Sequence, residues 1–205
     1  MFSGHKGYGL LFALLCILFS AGVWAADELE SLRKSAQDIK TLSADFIQEK
    51  HLRIMARPVI SRGRLYYKSP RFIRWEYLAP VKHVMLLNKD GASVYIWSEG
   101  NWVPDKAQGA ARTLVLDEIN RWITGRFNES TSFSHTYKPG PPPIVILKPA
   151  EEVKRFIEQI TVRFFKASAL VDRVEITEDR GNRTAINFKN VQLNAQLEES
   201  LFEKP

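Results

Sequence analysis

Residues 61–91, SRGRLYYKSPRFIRWEYLAPVKHVMLLNKDG, leave this chain little freedom in its fold. Two X–Pro pairs, Ser69-Pro70 and Ala79-Pro80, and a closing Asp90-Gly91 cut the stretch into three short strands. Proline ends a ladder because it lacks an N–H, and glycine admits the positive φ of a tight turn. Connections this short join antiparallel neighbours, since a parallel pair needs a long crossover. Side chains alternate along a strand, so Ile73, Trp75 and Tyr77 share a face, with Arg71, Arg74 and Glu76 as the polar positions around them. Leu65 and Tyr67 repeat the pattern one strand earlier. A face bearing such large rings either packs on a core or encloses something apolar.

The same grammar extends along the chain. Asp27 followed by Glu30 has the spacing of a capping box, and Leu29, Leu32, Ala36 and Ile39 recur at helical intervals. Strand patterns follow over 43–48, 59–68, 71–78, 81–88 and 93–98, an antiparallel meander. A second helix is predicted where Leu116, Ile119, Trp122 and Ile123 form an apolar stripe that stops at Gly125. Residues 137–143, YKPGPPP, read as a stiff loop, and strands resume over 144–148, 156–166, 170–178 and 184–191, with a hairpin turn at Arg180-Gly181-Asn182. The expected class is α+β, mainly antiparallel β: one large sheet that must hide an apolar face. Two small helices cannot cover so many strands, so the sheet is expected to curl, with the helices across its mouth. Spacing alone leaves a filled core and an enclosed cavity equally open.

Before the first helix, Lys6 precedes an apolar run over residues 10–19 and a small-residue site at Val23-Trp24-Ala25. The run is shorter than the ~20 residues that span a bilayer. Residues 1–25 are therefore read as a cleaved export signal and 26–205 as one domain, with an uncleaved anchor as the alternative. The single cysteine, Cys16, lies inside that run, which leaves the rest of the chain without disulfide or thiolate chemistry. Removing residues 1–25 takes away one lysine and lowers the net charge from +6 to +5. The basic residues are scattered rather than clustered, which speaks against nucleic acid and leaves steering towards anionic surfaces or acidic partners.

Nothing in the sequence calls for catalysis, a metal or a cofactor. His51, His83 and His135 are far apart, and none has a second ligand at metal-binding spacing. There is no nucleophile elbow, no phosphate-cradling glycine loop and no paired-carboxylate signature.

Ala44-Asp45-Phe46-Ile47-Gln48, Gly63-Arg64-Leu65, Lys68-Ser69-Pro70, Phe72-Ile73-Arg74-Trp75-Glu76-Tyr77 and Asp90-Gly91 together resemble the LolA-like family of periplasmic outer-membrane lipoprotein carriers. The order ADFxQ, GxLxxxxP, FxWxxxxP and DG is matched through the N-terminal half, and more loosely beyond it. The resemblance implies a curved, half-open β-barrel with helices as a lid over an apolar cavity. It implies an acylated lipoprotein or other lipid as cargo, an inner-membrane transporter as donor, and an outer-membrane receptor or acceptor. A periplasmic monomer without cofactor or enzymatic activity is expected. The residues it points to as lipid-binding are Phe46, Leu65, Tyr67, Ile73, Trp75, Tyr77 and Met85 on strands, and Leu116, Ile119 and Trp122 on the lid helix. The alternative is a lipid-sensing regulatory or interaction module of the same fold. One departure stands out: the family's basic residue before the first turn proline, which helps fasten the lid, is Ser69 here. The other is that the chain ends soon after Leu201-Phe202.

Overall fold

The computed structural model describes residues 28–105, 109–165, 168–178 and 181–205. The predicted export signal at 1–25, the cap at Asp27, and Lys166 and Arg180 at a predicted strand end and turn lie outside these. Helix α1 (28–37) leads into strands β1 (Thr41–His51), β2 (Val59–Lys68), β3 (Phe72–Ala79), β4 (His83–Asn88), β5 (Gly91–Ser98) and β6 (Asn101–Pro104). Helix α2 (Gly109–Ile123) and a short 3-10 turn follow, then β7 (Phe133–Lys138), β8 (Ile144–Pro149), α3 (Glu151–Lys154), β9 (Ile157–Phe164), β10 (Val171–Glu178) and β11 (Arg183–Leu193). A 3-10 turn at Glu199–Phe202 ends the chain.

All eleven strands form one sheet, ordered β6-β5-β4-β3-β2-β1-β11-β10-β9-β8-β7. Two antiparallel meanders, β1–β6 and β7–β11, are thus joined along β1 and β11. The sheet does not close: β6 and β7 are its two free edges. It is strongly curved. Strands β3 and β11 lie three strand intervals apart, about 14 Å in a flat sheet, yet the rings of Trp75 and Phe188 meet at 5.9 Å. Helix α2 connects the two edge strands, packing on β4 and β5 before the chain reaches β7.

The sequence reading differs from the structure at both edges. Strand β7 includes Tyr137 and Lys138, assigned above to a loop, and β6 is a separate four-residue strand. FSHTYK alternates in burial but carries only one wholly apolar side chain, Phe133, on its inner positions apart from the Tyr137 ring, and four-residue NWVP is too short to show a period.

Along β2 the concave face is set by a glycine. A Cβ at Gly63 would lie 2.1 Å from the Glu76 carbonyl oxygen and 2.4 Å from the Phe46 ring. The missing side chain lets Phe46, 1% exposed, lie across β2 against Trp75 and Tyr77. The convex face is not simply polar. Arg74, read above as one of the polar positions around the aromatic face, is buried beneath the C-terminal segment, together with Val84 and Leu86. Its guanidinium donates to the carbonyls of Leu201 (3.2 Å) and Lys204 (3.0 Å) and pairs with Glu76 at 3.0 Å. Asn88 Nδ2 donates to the Phe202 carbonyl, and the Phe202 ring, itself buried, sits 5.9 Å from Phe72. No helix among the described residues is long and apolar enough to cross a membrane.

Candidate functional site

The concave face carries a continuous aromatic layer. Phe46 lies 4.7 Å from Trp75 and 5.1 Å edge-on from Tyr77, and Tyr77 stacks on His83 at 4.1 Å. Strand register explains the grouping: Leu65 opposes Trp75, Tyr67 opposes Ile73, and Met85 flanks Trp75 from β4. The Tyr77 hydroxyl donates to Gln48 Oε1 at 2.8 Å, and burial pushes its pKa up to about 12. Burial also raises the pKa of Tyr67.

Helix α2 covers this layer. Leu116, Ile119, Trp122 and Ile123 recur at helical spacing, and all four are buried in the same cluster as the sheet aromatics. Helix α1 abuts the end of α2. Gly125, with φ +67°, stops that helix, and a Cβ there would meet Ala36 Cβ at 2.9 Å and Arg33 Cα at 3.0 Å. Between helices and sheet remains an apolar cavity of about 30 Å³, lined by Leu42, Leu65, Trp75, Trp122, Val174 and Phe188 among others. That is room for about two waters, far less than an acyl chain. The enclosed space is filled chiefly by the protein's own α2 side chains.

Polar contacts hold α2 in place. Arg71 Nη2 pairs with Asp117 Oδ1 at 2.7 Å, tying the β2–β3 turn to the helix. Glu118, buried, accepts from Arg121 Nη1 at 2.6 Å and from the Ser130 hydroxyl at 2.7 Å. Burial raises its pKa, against the opposing pull of Ser130 and Arg121. Trp122 Nε1 is buried with no hydrogen-bond partner among the described residues. No group of three or more His, Cys, Asp or Glu that could hold a metal occurs among the described residues.

The structure brings all ten sequence-selected residues to one cluster. Leu65, Trp75, Ile119 and Trp122 line the cavity itself. Phe46, Tyr67, Ile73 and Leu116 are buried around it, and Tyr77 and Met85 are partly buried against it. The C-terminal half supplies what the motifs missed: Val174, Phe188, Val191 and the turn at Ala169, Leu170 and Val171. Their in-phase apolar pattern on β10 and β11 was the available signal.

The sequence profile described as "Outer membrane lipoprotein carrier protein LolA" matches residues 37–204. The chain belongs to the LolA family. That description names a carrier of lipoproteins. Solved structures similar to this LolA-family chain include a DUF1329 family protein from Desulfovibrio piger, with 10% identity, 87% of this chain and 97% of that one covered, and a TM-score of 0.49. A LolA superfamily protein from Nitrosomonas europaea shares 8% identity over 88% and 97%, with a TM-score of 0.45. Lipoprotein LppX from Mycobacterium tuberculosis shares 10% over 85% and 98%, with a TM-score of 0.43. At such scores these likenesses carry no functional argument. No curated protein sequence matches the chain significantly.

Proposed function

We propose that this LolA-family chain is a periplasmic carrier. It holds acyl chains of a lipoprotein, or of another lipid, between the concave face and α2, and passes them from the inner towards the outer membrane. The observation that carries the reading is the pairing of a large aromatic sheet face with a single helix whose apolar stripe fills the space before it. In the loaded state the acyl chain takes the place of Leu116, Ile119 and Trp122 against Phe46, Leu65, Tyr67, Ile73, Trp75, Tyr77 and Met85. The indole N–H of Trp122 then has a lipid ester carbonyl as acceptor.

Magnitudes favour a reversible exchange. Seating the four apolar α2 side chains, Ile123 included, is worth about 6–12 kcal/mol, and burying about fourteen methylenes is worth about 11 kcal/mol. Because the two nearly balance, helix displacement offsets lipid binding, and cargo can leave for an acceptor without a nucleotide site in this chain. An inner-membrane transporter is the donor and an outer-membrane receptor the acceptor in this reading. Native mass spectrometry with lipid extraction, on protein released gently from the periplasm, tests it. Acylated cargo at close to one per protein is the expected result. A protein that is empty and also takes up no labelled lipid overturns the proposal.

A further inference from the structure

One end of the sheet gathers the connections β1–β2, β3–β4, β5–β6, β8–β9 and β10–β11. Of the eleven large apolar residues exposed among the described residues, nine lie at this end; Phe165 and Leu193 lie at the other. They stand on separate loops: Ile54 and Met55 between β1 and β2, Val81 between β3 and β4, Trp97 and Val103 on the β5–β6 hairpin, and Phe156 ahead of β9. Ile54 is 93% exposed, and it is held there by order. Met55 N donates to the Leu52 carbonyl at 2.9 Å, and Arg53 N donates to Asn182 Oδ1 at 3.0 Å, fixing the loop to the neighbouring hairpin.

Cations accompany these apolar tips. Arg53 and Arg57 bracket Ile54 and Met55 in sequence, Lys82 Nζ lies 5.7 Å from the Trp97 ring, and the Arg155 guanidinium lies 4.6 Å from Phe156. Acids at this end are largely matched: Glu49 faces His51, Glu178 faces Lys50 and Glu151 faces Lys154. Among the described residues, the remaining acids at this end, Glu99, Glu152 and Glu158, are outnumbered by Arg53, Arg57, Arg62, Lys82, Arg155 and Arg183, none of which is ion-paired.

We propose that this rim docks on the surface of an anionic lipid bilayer, with Ile54, Met55 and Trp97 in the headgroup–acyl boundary and the arginines and Lys82 at the phosphates. Apolar tips raised on separate loops, each beside a cation, match the layering of a membrane surface, where tryptophan and basic side chains are favoured. Protein interfaces gather their apolar residues into a packed core with a polar rim, whereas these stand apart on separate loops. The inference rests on the rim alone and is independent of what the concave face holds.

The test is co-sedimentation of the chain from residue 26 onward, which contains every described element, with vesicles of phosphatidylcholine with and without phosphatidylglycerol. Binding is expected on the anionic vesicles only, and is expected to weaken as salt rises. Ile54→Ser/Met55→Ser should lower the affinity by roughly tenfold or more, from the loss of one to two buried apolar side chains. Ile54→Leu/Met55→Leu should retain it. Arg53→Glu/Arg57→Glu should remove most of the salt dependence. The melting temperature of each variant should match that of the parent, because these side chains are exposed. No vesicle binding, or equal binding by the serine variant, overturns the proposal. So does a dimer that the serine variant dissolves, which would assign the rim to a second copy of the chain.

Discussion

At Gly63 a single absent side chain fixes the aromatic layer. The Phe46 ring and the Glu76 carbonyl both occupy the volume a Cβ would need. Gly63→Ala is therefore expected to cost about 3 kcal/mol by overpacking, read from urea denaturation. Trimming Phe46 as well should not restore stability, because the carbonyl clash at 2.1 Å is with backbone. Tyr77 gives a second residue-scale prediction. Its folded pKa, pushed by burial to about 12, lies above the ordinary value of 10. The unfolded chain therefore loses this proton first, and the stability that is complete below pH 10 drains away as pH rises towards 12. The loss should approach about 2–3 kcal/mol. Tyr77→Phe should remove that part of the alkaline step, measured as melting temperature against pH; an unchanged profile would place the step elsewhere, on Tyr67 for example, whose pKa burial also raises.

Helix α2 is the element on which the proposed carrier function turns. It bridges the two free edges of the sheet, so moving it uncovers the face without breaking a strand ladder. The Arg71–Asp117 pair is partly exposed, and such pairs contribute at most about 1 kcal/mol. Asp117→Asn should accordingly leave global stability within about 1 kcal/mol while weakening amide protection of α2 up to about fivefold, since 1.4 kcal/mol is tenfold. Hydrogen exchange measured by mass spectrometry reads both. Unchanged α2 protection would mean that apolar packing alone holds the helix. The motif pattern places an aromatic face on β3 and a stripe on α2 separately. It does not pair Arg71 with Asp117, because residues 46 apart in sequence meet only once the sheet has curled.

At the scale of the whole molecule, the chain's last residues act as part of the sheet. Phe202 is 1% exposed, and Arg74, 7% exposed, bonds the Leu201 and Lys204 carbonyls as well as Glu76. Phe202→Ala should cost about 3–5 kcal/mol, and removing residues 199–205 should cost more, because it takes away the whole Phe202 side chain with the two carbonyls that Arg74 bonds and uncovers Val84 and Leu86. Breaking the neighbouring Lys68–Glu199 pair, in which Glu199 is 82% exposed, should cost well under about 1 kcal/mol. Denaturation midpoints of the three variants check the ranking. A tail deletion that melts like the parent would show that the convex face is stable when bare.

By itself the sequence determined the elements with two covered sides. Alternation over 59–98, the turns at Ser69-Pro70, Ala79-Pro80 and Asp90-Gly91, and the stripe from Leu116 to Ile123 are local consequences of backbone geometry and of where apolar side chains must hide. Edge strand β6 is too short to show a period, and β7 alternates in burial but with few apolar side chains to reveal it. Tertiary structure alone decided that Phe188 would touch Trp75, that Arg71 would reach Asp117, and that Arg74 would be buried under the tail. It also decided that the enclosed space would be nearly filled, because free volume follows from how far a sheet curls and a helix descends, and periodicity records neither.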